Sequence, residues 1–379
     1  MSKMPEPSIL LFVLEQFFPR QECLVLEPIE NGHIHRTVAA QIQTPRGTQE
    51  VVLQRINRHV FPHPEQVMEN ILRVTHHLQQ SYLAEGQNPE RRVLHFFATP
   101  RGEYLVHDPE GGIWRAARRI TGARTYETTQ DLKILFEVAR AFGDFQYRLA
   151  SLEGTCLHET IPQFHHTRKR VNDFFHAVEQ DACNRALQAR QEIEFLQRRE
   201  ADADIVTDAL AQGRLPTRIT HNDTKINNVL LDRTSGEALC VIDLDTVMPG
   251  SLLFDFGDLI RSAASTALED EIHLSRVHFD VPRFIQLARG FLSALRQTLT
   301  PLEWELLAFA PRLITYEQAL RFLTDYLQGD VYYRVMYSEH NLHRTRTQIR
   351  LLQEMEQQAG TMESILERCK TDSTLGRFS

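Results

Sequence analysis

The stretch Ile219–Val247, ITHNDTKINNVLLDRTSGEALCVIDLDTV, constrains this chain more than any other. It runs polar loop, apolar strand, tight turn, apolar strand, acidic end. The loop carries His221, Asp223, Lys225 and Asn228 at the spacing H-x-D-x-K-x-x-N. Val229–Leu231 and Leu239–Ile242 read as strands, because short apolar runs between polar breaks fit β structure. Between them, Asp232-Arg233-Thr234-Ser235-Gly236 has the composition of a turn. A hairpin of this length brings the residues before its first strand close to those after its second. Asp223, Asn228 and Asp243 are therefore expected to converge at one end.

Two carboxylates and an amide at one point are the set that phosphoryl transfer from ATP requires. One carboxylate orients the attacking hydroxyl and takes its proton. The amide oxygen and the second carboxylate hold Mg2+ against the phosphates. The stretch resembles the catalytic loop of the protein-kinase-like fold, in the form used by aminoglycoside and choline phosphotransferases. Within that group, HNDTKINNVL followed by VIDLDTVMPG and DFGD is most similar to the N-acetylhexosamine 1-kinases. The resemblance implies an α+β, two-lobed fold, with a small antiparallel β-sheet lobe and a larger, mostly helical lobe. It makes Asp223 the catalytic carboxylate, lets Lys225 steady the transferred phosphoryl group, and gives magnesium to Asn228 and Asp243. His221 is expected to brace the loop through backbone hydrogen bonds rather than act as a base.

A literal Asp255-Phe256-Gly257 lies further on, the string that marks the magnesium aspartate in protein kinases. It does not directly end a strand, whereas Asp243 does, so Asp243 is the expected metal ligand. Asp245 then stands where the kinase motif has its glycine. Asp255 and Asp258 are expected to brace the loop and cap a helix that starts at about Leu259.

Upstream, Ser8–Phe18 reads as an amphipathic helix, and Leu24–Ile29, Thr37–Gln43 and Val51–Ile56 read as strands. A helix from Pro64 to about Gln80 follows, then strands over Val93–Phe97, Glu103–His107 and Gly112–Ile120. In the resembled fold this is the sheet that covers the nucleotide. Two departures stand out. The loop Glu30–Arg36 (ENGHIHR) has a single glycine, so side chains, His33 and His35 among them, are expected to cover the site. The third strand reads VVLQR where a kinase has VAIK, so Gln54 or Arg55 must replace the usual lysine, with Glu65 or Glu69 as partner. Ile120-Thr121-Gly122 would cross beside the adenine. That makes Thr121 a nucleotide contact and divides the chain into a nucleotide-covering lobe, 1–122, and a helical catalytic and substrate lobe, 123–379.

The second part reads as helices. Leu132, Leu135, Phe136, Ala139, Phe142, Phe145 and Leu149 mark the buried face of the first. Others are expected over Phe164–Leu187, Gln188–Ala211, Pro282–Gln297, Pro301–Leu327 and Asn341–Gln357, with a loose tail over Thr371–Ser379. Arg321–Tyr332, RFLTDYLQGDVY, resembles a segment of the N-acetylhexosamine kinases in which an arginine and a tyrosine contact the sugar. Arg321 and Tyr332 match them, and His33 is a third candidate for sugar contact.

Composition narrows the partners. A net charge of −8 argues against a general nucleic-acid binder, which needs clustered basic residues. Five scattered cysteines without a C-x-x-C pair suggest reduced thiols in a cytoplasm and no zinc site. The apolar run near the start is short and interrupted by Glu15, so no membrane partner is expected. The acceptor implied is a small sugar, although oligomeric state is not legible. A kinase of another small alcohol or amine-bearing molecule, and a nucleotide-binding scaffold without catalysis, are the alternatives.

Overall fold

The computed structural model describes residues 6–29, 34–45, 47–153 and 157–372. Helix α1 (Pro7–Phe17) buries Ile9, Leu10, Val13, Leu14 and Phe17, one face at helical spacing. That face packs on a sheet whose first strands, β1 (Glu22–Ile29), β2 (Arg36–Thr44) and β3 (Gly47–Arg55), form an antiparallel meander. β6 (Ile113–Arg118) lies beside β3 and carries β4 (Phe96–Phe97), with β5 (Val106–His107) also paired to it. Alternation along the strands sends Val38, Ala40, Ile42, Val51, Leu53, Trp114 and Ala116 toward α1, and these residues form one core. The β3–β6 register sets Gln54 opposite Arg115. Helix α2 (Pro64–Ala84) starts with proline in its first turn, where no backbone N–H is needed.

Beyond the sheet, β7 (Ala123–Arg124) pairs with β9 (Val229–Asp232), which pairs with β10 (Ala238–Val241). A second ladder joins β8 (Arg218–Thr220) to β11 (Met248–Gly250). Val229 lies opposite Val241 and Thr220 opposite Met248. The loop between β8 and β9 and the segment between β10 and β11 are therefore clamped side by side. The rest is helical: α3 (Leu132–Leu149), α4 (Thr167–Gln180), α5 (Arg190–Gln197), α6 (Ile205–Ala211), α7 (Leu252–Ala263), α8 (Val281–Leu295), α9 (Pro301–Leu306), α10 (Ala310–Leu327), α11 (His340–Gln357) and α12 (Ala359–Thr371). A large core runs from Val67, Ile71 and Val74 of α2 through Val229 and Leu231 to α3, α7 and α8. A smaller one joins α4, α10 and α11 through Val171, Phe174, Leu320, Leu323 and Leu342. No helix among the described residues is long and apolar enough to cross a membrane.

Several expected boundaries are corrected. The helix expected from about Leu259 is α7, which starts at Leu252 and is capped by Ser251, whose Oγ accepts from the Leu253 N–H. The D-F-G string lies inside it, and neither Asp255 nor Asp258 is its cap. Gly257 is there for contact: a Cβ would stand 2.7 Å from the Ala310 carbonyl of α10. The single helix expected over Pro301–Leu327 is two. A capping box of Thr300 and Glu303 opens α9, and Pro311, unable to donate, sits in the first turn of α10. The helix expected over Phe164–Leu187 is α4 alone, closed by Asp181 in the left-handed region at φ 37°. α12 fills the residues between the expected helix Asn341–Gln357 and the expected tail from Thr371.

Candidate active site

The loop after β8 is held from beneath by α7. Asp255, fully buried, accepts from the backbone N–H of Asn222 (Oδ1, 2.7 Å) and of His221 (Oδ2, 2.8 Å). The Thr224 hydroxyl donates to the Asp255 carbonyl (2.6 Å), and the Thr224 N–H to Asp258 (3.0 Å). His221 packs against Phe142 and Phe145, its Nε2 2.9 Å from the Ile242 carbonyl while Nδ1 accepts from the Asp223 N–H at 3.3 Å. The Ile242 carbonyl accepts a hydrogen bond from the Nε2–H, and Nδ1 carries no proton and accepts, so the ring bridges the two arms of the hairpin.

On this support Asp223 faces outward. Its Oδ1 is 2.8 Å from the Lys225 ammonium, and its Oδ2 accepts from Asn228 Nδ2 at 3.0 Å. Burial pushes the Asp223 carboxyl up, but the charge and hydrogen bond of Lys225, with His221 and Asn228, together outweigh it and hold the group below the ordinary carboxylate range. Asn228 also donates to the Asp223 carbonyl (2.8 Å). With its nitrogen committed twice, Asn228 has its Oδ1 as the side-chain atom able to act as a metal ligand. Asp243, across the hairpin, adopts the left-handed conformation (φ 60°), as does Asn222 (φ 66°). Backbone in this region is costly for a side chain with a Cβ and concentrates at functional sites. Burial pushes the Asp243 carboxyl up, and the charges of Asp245 and Asp223 add to it. A cation at this point would relieve that repulsion, and hard oxygen donors suit magnesium.

Asp245 is buried and bound to the sheet. Arg115 of β6 grips it with both terminal nitrogens, at 2.9 and 2.6 Å, and His35 Nε2 stands 3.2 Å away. Burial raises its carboxyl, yet Arg115 and His35 together hold it well below its ordinary value. His35, Asp243 and Asp245 form a group close enough to share an ion, although Arg115 already occupies both oxygens of Asp245.

The remaining expected residues fall as follows. Gln54 accepts from Arg115 Nε at 3.0 Å and so touches the Asp245 anchor. Arg55 lies 3.8 Å from Asp108, not beside Glu65 or Glu69 as anticipated; Glu69 is engaged by Arg73 and His158. The Thr121 carbonyl accepts from Arg91 at 3.0 Å. His33 lies outside the described residues. Arg321 of α10 sits among three rings, with its guanidinium 5.3 Å from Phe164, 5.7 Å from Tyr333 and 6.0 Å from Tyr332. It donates to Gln318 (3.2 Å) and has no carboxylate within ion-pair distance among the described residues. Arg115 was missed by reasoning from the third strand alone. The antiparallel register that faces it with Gln54 was the only available signal.

A family model described as "Phosphotransferase enzyme family" matches residues 25–285. Among solved structures, the aminoglycoside phosphotransferase of Alicyclobacillus acidocaldarius is similar with a TM-score of 0.59 at 12% identity, covering 97% of this chain and 98% of that one. A choline kinase of Cryptosporidium parvum gives 0.53 at 14% identity, covering 97% and 100%. A ternary complex of streptomycin, ATP and APH(2")-IIa gives 0.50 at 13%, covering 95% and 99%. These similarities establish a protein-kinase-like α+β fold.

Proposed function

The chain belongs to the phosphotransferase enzyme family matched over residues 25–285, and from that premise we propose that it is an ATP- and magnesium-dependent kinase that phosphorylates the anomeric hydroxyl of an N-acetylhexosamine. Residues 1–122 cover the nucleotide, and residues 123–379 supply the catalytic loop and the acceptor site. Gln54, Arg55 and Thr121 are the nucleotide-side residues, and Arg321, Tyr332 and His33 the sugar-side ones. ATP as donor is supported by the nucleotide bound in the structurally similar streptomycin complex.

Asp223 orients the acceptor hydroxyl and takes its proton as the bond to phosphorus forms. Its low pKa suits a loose transition state, which asks for position more than for basicity. Lys225, held beside Asp223, faces the transferred phosphoryl group. Asn228 Oδ1 and the Asp243 carboxylate would hold magnesium, which when bound would neutralise charge on the phosphates.

The observation that carries the sugar reading is the Arg321 guanidinium, which among the described residues has no carboxylate within ion-pair distance, Glu317 on the preceding turn being taken by His165 and Thr167. A fixed positive charge repels choline and aminoglycosides, which are cations needing acidic or open aromatic surfaces. The same group offers a rigid fork of donors to hydroxyl and amide oxygens. Magnesium-ATP presented with sugars, choline and aminoglycosides in parallel, with ADP release followed, tests this. A 2-acetamido hexose should be turned over fastest; choline or an aminoglycoside outperforming every sugar would overturn the sugar reading.

A further inference from the structure

Phe164 and His165 precede α4 and touch both halves of the proposed site. Phe164 underlies the Arg321 guanidinium at 5.3 Å. The His165 side chain, 7% exposed, lies between the rings of Phe164 (4.7 Å) and Phe254 (5.0 Å). Its Nδ1 is 2.8 Å from Glu317 Oε1, and its Nε2 is 3.3 Å from the Asn222 carbonyl. Glu317, itself 1% exposed, uses its other oxygen to accept from the Thr167 hydroxyl at 2.6 Å.

The positions matter more than the contacts taken singly. Glu317 stands one helical turn before Arg321 on α10, so the two project from the same face. Asn222 immediately precedes Asp223, and its peptide is fixed on one side by Asp255 and on the other by His165. Among the described residues, His165 is the side chain that joins the helix bearing Arg321 to the peptide bearing Asp223 through one ring. A ring buried among aromatics cannot swing, so it transmits position in both directions.

We propose that His165 is a positioning residue, fixing the acceptor held at Arg321 against the Asp223 carboxylate. It rests on the phosphotransferase reading of the catalytic loop and on Arg321 as an acceptor contact. In that role His165 acts through Glu317 and Asn222, not by touching acceptor or nucleotide. Its loss should therefore misalign the acceptor while leaving the nucleotide side as it was, and a misplacement of this kind lowers turnover steeply.

The test compares His165→Phe, His165→Gln and the double variant His165→Phe/Glu317→Gln. Phenylalanine keeps the aromatic stack and removes both hydrogen bonds. The double variant avoids leaving a buried carboxylate unpaired, since Gln retains Thr167 as a partner, and it carries the test if the single Phe variant does not fold. Glutamine at 165 reaches one of the two partners. With the acceptor that wild type uses best, kcat should fall about 10–100-fold in the Phe variants and less in His165→Gln, the scale expected for one or two buried hydrogen bonds. The Michaelis constant for ATP and the affinity for ADP, measured by titration, should stay within about twofold, a split that general loosening of the fold would not produce. Wild-type turnover in the folded Phe variants, or a parallel loss of ADP affinity, would overturn the proposal. Failure of the functional reading shows separately and earlier, as wild-type protein that phosphorylates no acceptor.

Discussion

Each oxygen of Asp223 already has one partner, Lys225 on Oδ1 and Asn228 on Oδ2, which leaves lone pairs on both for an acceptor hydroxyl. Asp223→Asn preserves shape and removes the proton acceptor, so turnover should fall by about 10²–10⁴-fold while ATP still binds. Steady-state kinetics beside a nucleotide titration reads this, and near-normal kcat would remove Asp223 from its role. Arg321 and Tyr332 should act on the other substrate. Arg321→Ala deletes the charged donor proposed to hold the acceptor and should raise the apparent Michaelis constant for sugar by about 10–100-fold, with that for ATP little changed. Tyr332→Phe should do less, because Tyr332 is largely exposed, at 60%, and its hydroxyl is a neutral partner. Paired saturation curves separate the two, and equal effects on both Michaelis constants would count against an acceptor role.

At the scale of elements, the hairpin β9–β10 and the α7 helix divide the work between presenting the carboxylates and holding the loop. Asp255→Ala removes acceptors from two backbone N–H groups and leaves them buried. The cost should be about 3 kcal/mol, on the scale of hydrogen bonds to a charged group, seen as a lower denaturation midpoint with activity surviving in the folded fraction. Unchanged stability together with lost activity would instead make Asp255 a participant in the chemistry. The convergence of loop and hairpin end was legible, because apolar runs, a five-residue turn and polar flanks all point the same way. The start of α7 was not. Asp255-Phe256-Gly257-Asp258 looks like loop composition, and only packing against Ala310 of α10 explains a glycine in mid-helix. Arg115 was hidden for a similar reason: its neighbour Gln54 is set by strand register across a long separation in sequence. The partner expected for Arg55 came from helix proximity, but Asp108, anchored in its own turn, is nearer.

At the scale of the whole molecule, the sheet reaches the hairpin through Arg115 and His35, both on Asp245, and the large core continues from α2 into α3 and α7. The Asp243 end of the hairpin is thus fixed to the sheet that β3 and β6 share. Asp243→Ala should abolish magnesium-dependent turnover and also remove the rise in melting temperature that magnesium-ATP gives the parent protein. A variant that keeps both would place the metal elsewhere. The proposed reaction, phosphoryl transfer to the anomeric hydroxyl of an N-acetylhexosamine, is read from phosphorus NMR of the product formed from magnesium-ATP and a 2-acetamido hexose. A sugar 1-phosphate resonance, coupled to the anomeric proton, should grow in step with ADP and be absent with Asp223→Asn. A 6-phosphate, or ADP released with no phosphorylated sugar, would contradict the proposed reaction.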